Sequence, residues 1–476
     1  MAKTDALSVE NLSFTYQSWT EKPNEPIFQG LSMHIPLGSK TLLLAPFNKG
    51  KTTLAKLICG VCPKYFPGKM EGTIELFARD LAEMEPWDLL KLCTYVSQNP
   101  QEQFVSTSVE EEIAFPLESL SLDREAMHAH MESAIEDWGL QKLRTSSEQE
   151  LSGGERKRVL LAVMQAIDAS FWLLDEAFDD LDQRWRDRLK HLIASNEKTV
   201  LVLASRYLAE FDDLFDQVLL LDEGVVHTGE RQSLVTRFSH LCGDDLPSPL
   251  DTEEPACVQN RELKCNTLYA ERRRVSTNEG ESFALSVPDF HLSSGELVTL
   301  VGPNGSGKSS FSRLLCGLDV PKEGTIVLDG KELSERELSK RVGYLFQSPD
   351  LQIFLPTVEE ELSWSLRRRG DLTKAERRQQ VLQCAELFSL DLHDTPTTMS
   401  YPLRKALQAA VYYLLDRPFY ILDELDSALT YQSALSIIAL LRRNGAGILL
   451  ITHDRQFATK VAQRSYTIKD GRMYAL

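Results

Sequence analysis

The sequence predicts an α/β protein of two similar domains, each a parallel-sheet core with an inserted helical subdomain. A series of short motifs occurs twice, separated by 257 residues at Ala45 and Gly302 and by 248 residues at Asp175 and Asp423. Such near-constant separations indicate a duplicated domain. In each copy, apolar runs of strand length alternate with helical stretches, which is typical of a parallel sheet covered by helices. The length of 476 residues also suits two domains.

Three segments follow from this duplication. The first domain is predicted over 7–238, a linker over 239–262 and the second domain over 263–476. The linker includes GDDLPSPLDTEEPACVQN, which is rich in proline and acidic residues and has no periodicity. Copy one carries eight extra residues before Gln98, partly in the insert VCPKYFPGKM.

Composition excludes several classes of function. The chain has 52 basic and 70 acidic residues, and its net charge of -18 disfavours nucleic acid as a partner. Apolar runs such as VLVLAS are much shorter than the roughly 20 residues of a membrane-spanning helix. The N-terminal residues also lack the apolar stretch of a signal peptide. We therefore expect a cytoplasmic protein with no membrane span of its own.

The eight cysteines show no framework of pairs, which is typical of free thiols in a reducing compartment. Cys59 and Cys62 form a CxxC pair, a spacing that also occurs in metal and redox sites. However, the duplication aligns Cys59 in LICG with Cys316 in LLCG, at the helix after each glycine-containing loop. That alignment favours a structural role for the pair.

Copy two contains GPNGSGKSS from Gly302, after the apolar run VTLV and before an apolar helix. Glycines allow such a loop to curl its N–H groups around a β-phosphate at a helix N-terminus. Lys308 would reach the β- and γ-phosphates of ATP, and Ser309 would hold Mg²⁺. The predicted nucleotide-binding residues of this loop are Gly302, Pro303, Asn304, Gly305, Ser306, Gly307, Lys308, Ser309 and Ser310. A glycine-rich turn without a ligand is the competing interpretation.

Acidic and amide side chains follow the later strands of copy two. In FYILDE, Asp423 at the end of a buried strand can hold the Mg²⁺ water shell, and Glu424 can polarise the attacking water. Gln347 in GYLFQ and His453 in ILLITHD also fall at strand ends. We predict Glu424, His453 and Gln347 as catalytic residues. The predicted Mg²⁺ site consists of Ser309, Asp423 and Gln347.

The motif LSGGERKRVLLA begins at Leu151, ahead of the strand that ends at Asp175. With this motif and the two loops, the chain resembles tandem ATP-binding-cassette (ABC) proteins over essentially its whole length. The resemblance implies that two cassettes meet head to tail, with each ATP between the loop of one and the LSGG signature of the other. Ser152, Gly153 and Gly154 would then present donors at a helix N-terminus to the γ-phosphate.

Copy one departs from the ABC motifs at its loop and at the histidine. Ala45 and Asn48 stand where copy two has the loop glycines Gly302 and Gly305, and Arg206 replaces the histidine. The nucleotide-site residues that copy one keeps are Lys51, Thr52, Thr53, Asp175 and Glu176. Tyr16 fits the aromatic position that stacks on adenine. In copy two the equivalent is open: Tyr269 requires about four more residues in the following loop, whereas an ungapped alignment gives Arg273.

Copy two departs at the signature instead. Tyr401 and Pro402 replace both signature glycines, and Thr430 stands where copy one has an aspartate. Proline lacks an N–H, and tyrosine adds bulk where a phosphate would approach. In the head-to-tail arrangement that the resemblance implies, every departure falls in one composite site, which we expect to be degenerate. The intact site combines the copy-two loop with Ser152, Gly153, Gly154 and Asp182 of copy one, and its turnover is expected to survive replacement of Tyr401.

The stretches after the two glutamines, SQNPQEQFVSTSVEEEIAF and FQSPDLQIFLPTVEEELSW, resemble those of energy-coupling factor (ECF) transporter ATPases. The resemblance implies two partners, a transmembrane coupling subunit and a small membrane substrate-binding subunit, with this chain peripheral on the inner face of the cell membrane. It also implies a groove beside Gln98 and Gln347 that receives coupling helices. Candidate acids for their arginines are Glu102, Glu110, Asp350 and Glu359, although helix starts favour glutamates in any case.

Two other functions are compatible with parts of the sequence. ABC-F-type factors on the ribosome also fuse two cassettes without membrane spans, but they resemble each other in a long, charged helical linker. The short proline-rich linker and the net charge of -18 disfavour that class. The intact Glu424 and His453 disfavour a purely structural ATP-binding module. The transported solute, whether a vitamin, a precursor or a metal ion, is not encoded in these motifs.

Overall fold

The chain divides into two compact units in a computed structural model, one formed by described residues up to Cys242 and one by those from 260 onward. The described residues are 5–17, 25–46, 49–120, 122–179, 181–242, 260–273, 282–303, 305–367, 372–427, 429–452 and 454–476. Asn304, His453, Asn48 and most of the predicted linker lie outside them. Within these ranges, no helix is both long enough and apolar enough to cross a membrane.

Unit 1 contains two sheets. Its strands are β1 (Asp5–Tyr16), β2 (Phe28–Pro36), β3 (Lys40–Leu44), β4 (Gly68–Leu76), β5 (Arg79–Asp80), β6 (Cys93–Val96), β7 (Phe171–Asp175), β8 (Thr199–Ala204), β9 (Gln217–Asp222) and β10 (Val225–His227). The main sheet has the order β10-β9-β3-β8-β7-β6, and its described neighbours are parallel except for β9 and β10. The smaller antiparallel sheet has the order β2-β1-β4-β5.

Unit 2 repeats this plan in a single sheet. Its strands are β11 (Glu262–Arg273), β12 (Ser282–Ser293), β13 (Leu297–Val301), β14 (Glu323–Leu328), β15 (Lys331–Glu332), β16 (Val342–Leu345), β17 (Phe419–Asp423), β18 (Gly447–Ile451), β19 (Arg464–Lys469) and β20 (Arg472–Ala475). Their order is β15-β14-β11-β12-β20-β19-β13-β18-β17-β16. The part β19-β13-β18-β17-β16 is parallel.

Helices cover these sheets and form a separate group in each unit. Those of unit 1 are α1 (Lys51–Ile58), α2 (Pro86–Leu92), α3 (Val109–Glu118), α4 (Arg124–Asp137), α5 (Gly153–Ile167), α6 (Gln183–Ala194) and α7 (Arg231–Cys242). Those of unit 2 are α8 (Lys308–Leu315), α9 (Glu335–Leu338), α10 (Val358–Ser365), α11 (Lys374–Leu387), α12 (Tyr401–Leu415), α13 (Tyr431–Arg442) and α14 (Arg455–Val461). Helices α3 to α5, and α10 to α12, are inserted between β6 and β7 and between β16 and β17.

The central strands are buried on both faces, which explains their continuous apolar sequences. Successive side chains of a strand point to opposite faces of the sheet. Accordingly, Leu42 packs in the core on the side of the inserted helices, whereas Leu43 packs in the core shared with the antiparallel sheet. In unit 2, Leu422 packs in the core on the side of the inserted helices, and Ile421 packs in the core shared with the antiparallel strands.

The parallel strands of unit 2 bring the predicted site residues to one edge of the sheet. Strand β13 ends before the loop at Gly302, β16 ends before Gln347, and β17 ends at Asp423. Adjacent parallel strands have their carboxyl ends at the same edge, which is where α/β folds bind ligands. The fold class predicted from the sequence is confirmed.

Candidate nucleotide sites

The loop between β13 and α8 depends on glycine for its shape. Gly302 and Gly307 have φ angles of 153° and 113°, and Gly305 has one of 72°. A Cβ atom on Gly302 would lie 2.4 Å from the carbonyl oxygen of Ile468. The left-handed backbone and this close approach exclude a larger residue at Gly302. Successive N–H groups in such a loop form a concave anion-binding surface.

Lys308 and Ser306 give this loop the polar groups of a phosphate site. The buried ammonium of Lys308 donates to the carbonyl oxygens of Gly302 at 2.8 Å and Pro303 at 3.1 Å. The hydroxyl of Ser306 is buried and has no hydrogen-bond partner within the described residues. A buried hydroxyl without a partner among the described residues needs one from elsewhere, and a phosphate oxygen fits that need.

At the edge formed by β16 and β17, three predicted residues come together. The side-chain amide of Gln347 donates to Glu424 Oε2 at 2.7 Å. The hydroxyl of Tyr344 donates to Asp423 Oδ2 at 2.6 Å, and burial raises the pKa of that tyrosine. Glu424 has a φ of 50°, and its N–H donates to the carbonyl oxygen of Ile451 at 2.9 Å. The carboxylates of Asp423 and Glu424 are therefore each oriented by a separate donor.

In unit 1, the matching residues bond to one another. Lys51 donates to the carbonyl oxygen of Ala45 at 2.9 Å, and its ammonium lies 3.5 Å from Glu176 Oε1. Thr52 Oγ1 donates to Asp175 Oδ2 at 2.8 Å. Burial raises the pKa of Glu176 to about 7, although Lys51 opposes this effect, and the N–H of Ser205 donates to Glu176 Oε1 at 2.8 Å.

The loop of unit 1 differs from that of unit 2 in its charge. Ala45 is buried, and its N–H donates to the carbonyl oxygen of Ala204 at 3.0 Å. Lys49 stands where unit 2 has Ser306, and its ammonium lies 3.4 Å from Asp222 Oδ1. An ion pair therefore tethers this loop at the position where unit 2 has an unpaired hydroxyl.

Thr52 and Asp175 also show that a divalent cation fits a site of this kind. Asp175 Oδ1 is buried and has no hydrogen-bond partner within the described residues, while Asp175 Oδ2 accepts from Thr52. A hydroxyl next to a carboxylate supplies the oxygen ligands that Mg²⁺ prefers. Ser309 and Asp423 are the equivalent pair of unit 2. Nowhere in the described residues, at these two sites included, is a group of three His, Cys, Asp or Glu side chains placed to hold a metal ion.

A family model described as ABC transporter matches residues 28–179 and 285–427, one match in each unit. The two matches together cover more than half of the chain. The chain belongs to the ABC transporter family. It is therefore an ATP-binding, ATP-hydrolysing protein with two cassettes, as the sequence predicted, and units 1 and 2 are its first and second cassettes.

Relatives of similar length support a tandem arrangement. A protein of Treponema denticola provisionally named ABC transporter ATP-binding protein is 27% identical, covering 98% of this chain and 96% of its own. A Bacillus subtilis protein provisionally named HMP/thiamine import ATP-binding protein is 28% identical, covering 98% and 90%. Among solved structures, an RNase-L inhibitor superposes with a TM-score of 0.60 at 20% identity, covering 98% of this chain and 90% of that one. That last likeness shows the fold.

The two ABC signature helices begin in different ways. Ser152 caps α5 with a capping box, in which its N–H donates to Glu155 Oε2 at 2.9 Å. Ser400 is the N-cap of α12, and Pro402 lies in the first turn of that helix. Proline is tolerated there because the first N–H groups of a helix have no intrahelical partner. The second cassette has thus lost one N–H donor of its signature while keeping the helix.

Asp182 and Thr430 have the same local role in the two ABC cassettes. Asp182 caps α6 by accepting from the N–H of Trp185 at 3.2 Å. Thr430 caps α13 by accepting from the N–H of Ser433 at 3.1 Å. The difference between aspartate and threonine therefore leaves helix capping unchanged.

Strand register corrects the candidate for the second adenine-stacking residue. Asn11 in β1 and Thr267 in β11 both have a φ near +50°, at 52° and 51°, at matching irregularities of the strands. Tyr16 lies five residues after Asn11, whereas Tyr269 lies two residues after Thr267. Tyr269 therefore matches Ser13 of unit 1 and not Tyr16. In the first cassette, the Tyr16 hydroxyl donates to Thr53 Oγ1 at 3.2 Å, beside the loop helix α1.

Sequence reasoning missed a buried lysine in each signature helix. Lys157 donates to the carbonyl oxygens of Ser97, Gln98 and Glu176 at 3.0, 3.2 and 3.4 Å. Its counterpart Lys405 donates to the Glu424 carbonyl oxygen and to Ser427 Oγ. The repeated lysine in LSGGERK and YPLRK was the available signal, but a helical lysine is usually solvated.

Proposed function

We propose that this chain is the ATP-hydrolysing, energy-coupling subunit of an ECF-type importer. Its partners are a transmembrane coupling subunit and a small membrane substrate-binding subunit, which place it on the inner face of the cell membrane. The provisional name of the Bacillus subtilis relative supports uptake of a vitamin or vitamin precursor. ATP binding closes the cassettes and hydrolysis reopens them, which shifts the membrane partners between states.

The competent site in this proposal is composite. The loop around Lys308 holds the triphosphate, and the signature of the first cassette, Ser152 to Gly154 with Asp182, closes over the γ-phosphate. Glu424 polarises the attacking water while Gln347 orients it, and His453 serves as a further polar group. Mg²⁺ held by Ser309, Asp423 and Gln347 would neutralise charge on the β- and γ-phosphates.

The observation that carries the importer proposal is a pair of exposed apolar residues at equivalent places in both cassettes. Phe354 is 71% exposed and Trp364 is 53% exposed, in the stretch after Gln347. Their counterparts Val105 and Phe115 are 69% and 57% exposed. Large apolar side chains left exposed at repeated positions indicate a protein-binding surface, and one coupling helix per cassette would cover them.

A buried glutamate holds each of these loops in place. Glu361 Oε2 accepts from the N–H groups of Phe354 and Leu355 at 3.1 and 2.8 Å. Glu112 Oε2 does the same for Val105 and Ser106 at 3.0 and 2.8 Å. Both glutamates are buried in the first turn of a helix. Holding a loop rigid before docking lowers the entropic cost of binding.

Three of the four candidate acids already have partners within their own cassette. Glu102 lies 3.9 Å from Lys56, Asp350 lies 3.2 Å from Arg404, and Glu110 lies 2.7 Å from Arg144. An arginine of a coupling helix would have to share or displace these partners. We therefore assign the main docking contribution to the exposed apolar residues and a secondary one to the acids.

Association with the ribosome is the competing function. The fold likeness to the RNase-L inhibitor does not favour it, because 20% identity supports the fold alone. The net charge of -18 opposes contact with a phosphate backbone. An importer subunit is expected in the membrane fraction of the cell, whereas a ribosome-associated factor is expected in the ribosomal fraction.

The test is purification of the tagged chain from native membranes, with ribosome sedimentation in parallel. The wild-type chain should co-purify with two membrane proteins. The double variant Phe354→Ala, Trp364→Ala should bind these membrane proteins at least about tenfold more weakly, because buried aromatic residues contribute about 2 kcal/mol or more to interfaces. Trp87→Ala, at a 55% exposed tryptophan elsewhere in the first cassette, is the matched control and should bind normally. Co-sedimentation with ribosomes and not with membranes would refute the proposal.

A further inference from the structure

Tyr401, which replaces a signature glycine, contacts the catalytic edge of its own cassette. Its hydroxyl donates to the main-chain carbonyl oxygen of Gln347 at 2.9 Å. The side chain of the same Gln347 donates to Glu424 Oε2 at 2.7 Å. Two hydrogen bonds in series therefore join Tyr401 to the predicted catalytic glutamate.

The first cassette shows what this contact replaces. Gly153 stands at the position of Tyr401, and the carbonyl oxygen of Gln98 accepts a hydrogen bond from Lys157 at 3.2 Å. The equivalent lysine of the second cassette, Lys405, donates to the Glu424 carbonyl oxygen, as Lys157 does to that of Glu176, and also to Ser427 Oγ. The carbonyl oxygen of the glutamine is thus bonded to a signature-helix side chain in both cassettes, but the donor differs.

Two cations of its own helix lie near the ring of Tyr401. The Arg404 guanidinium carbon and the Lys405 ammonium lie 5.7 and 5.6 Å from the ring centre. Arg404 also lies 3.2 Å from Asp350, in the segment that follows Gln347. Cation–π contacts of this kind favour one position of the ring, so the hydroxyl is preorganised to meet Gln347.

We propose that Tyr401 is a positioning residue for ATP hydrolysis in its own cassette, fixing the main chain of Gln347 so that its amide meets Glu424. The inference rests on the proposed competent site. It reverses the sequence-based expectation that replacing Tyr401 leaves that site working. Tyr401 removes a signature glycine from the proposed degenerate site. The same residue would position Gln347 in the proposed competent site.

The test begins with Tyr401→Phe in the full-length chain, because phenylalanine keeps the ring and removes only the hydroxyl. The kcat, normalised to the amount of ATP bound, should fall roughly two- to tenfold, the range expected for one neutral hydrogen bond. The Kd for ATP should stay unchanged, and the thermal midpoint should fall by no more than a few degrees, as expected for one lost hydrogen bond. The matched control is Tyr420→Phe in β17. The Tyr420 hydroxyl donates to the carbonyl oxygen of Tyr412 in α12 at 3.0 Å and accepts from the N–H of Arg417 at 2.7 Å. The normalised kcat of this variant should match the wild type.

A double-mutant cycle separates positioning from a general effect on the fold. If Tyr401 acts through Gln347, then Tyr401→Phe should cause no further loss in a Gln347→Ala chain. Additive losses, or a wild-type kcat for Tyr401→Phe, would overturn the inference. Glu424→Gln is assayed alongside: full turnover in that variant would instead show that the competent site itself is wrongly assigned.

Discussion

Glu176 and Glu424 share an unusual backbone conformation, with φ angles of 49° and 50°. This left-handed region costs a non-glycine residue about 1–2 kcal/mol. Each residue is held there by its N–H, which donates to the carbonyl oxygen of Leu203 at 3.0 Å or of Ile451 at 2.9 Å on the neighbouring strand. Strain of this kind is typical of functional positions. Here it turns the glutamate away from the line of the strand.

The two glutamates should nevertheless differ in their importance for turnover. We expect Glu424→Gln to reduce steady-state ATPase activity on the order of a hundredfold or more, as expected for a lost acid-base group. Glu176→Gln should reduce it far less, because Glu176 belongs to the proposed degenerate site. Each variant serves as the control for the other. Equal losses in the two variants would contradict the assignment.

Among the elements, the signature helix α5 allows a test of the composite site. Gly153→Asp should abolish hydrolysis as fully as Lys308→Ala, because a carboxylate would face the γ-phosphate in the proposed arrangement. The measurement is steady-state ATPase activity, normalised to folded protein. The first turn of a helix favours an aspartate, so the thermal midpoint should not fall. Retained hydrolysis in the Gly153 variant would rule out the head-to-tail arrangement.

The loop before α10 allows a stability test. Glu361→Ala should lower the free energy of unfolding by about 2 kcal/mol, because it removes the buried carboxylate that accepts from the N–H groups of both Phe354 and Leu355. The neighbouring Glu360→Ala is the matched control, since Glu360 is exposed, and its effect should stay below about 1 kcal/mol. Urea denaturation measures both. Equal effects would show that Glu361 does not hold the loop.

The order of the elements and most of the site were predictable from sequence. Gln347, Asp423 and Glu424 follow adjacent parallel strands, and parallel strands necessarily bring their carboxyl ends together. Of the two copy-two candidates for the position of Tyr16, Tyr269 lies instead at the position of Ser13, because an irregularity at Thr267 sets the register of β11. The bonds of Lys157 and Tyr401 to main-chain oxygens were missed because they join distant segments of the chain.

At the scale of the whole molecule, the candidate coupling acids Glu102 and Asp350 give a second prediction about binding to the membrane partner. The double variant Glu102→Ala, Asp350→Ala should weaken membrane co-purification while leaving ATP binding intact. A broken charge pair costs about 2–5 kcal/mol when it is buried in an interface, whereas the in-chain pairs of these half-exposed acids contribute at most about 1 kcal/mol to stability.

The matched control for charge is Asp213→Ala, Glu337→Ala. These two acids also pair with lysines of their own cassette, at 2.7 and 3.1 Å, but they lie outside the stretches that follow the glutamines. Normal membrane association of the Glu102, Asp350 variant would remove these acids from the docking surface and leave Phe354 and Trp364 as its contacts. Loss of ATP binding would assign the acids to the fold.

The helix N-cap at Thr430 has a consequence for the evolution of the sequence. Threonine caps α13 in the same way that aspartate caps α6. An exchange of aspartate for threonine at this position of the second cassette therefore costs almost no folding stability. Pro402 in a first helical turn is equally acceptable to the fold. The fold of the second cassette therefore accommodates both of these departures. In the proposed arrangement, the need for an aspartate at Asp182 therefore comes from turnover and not from helix capping.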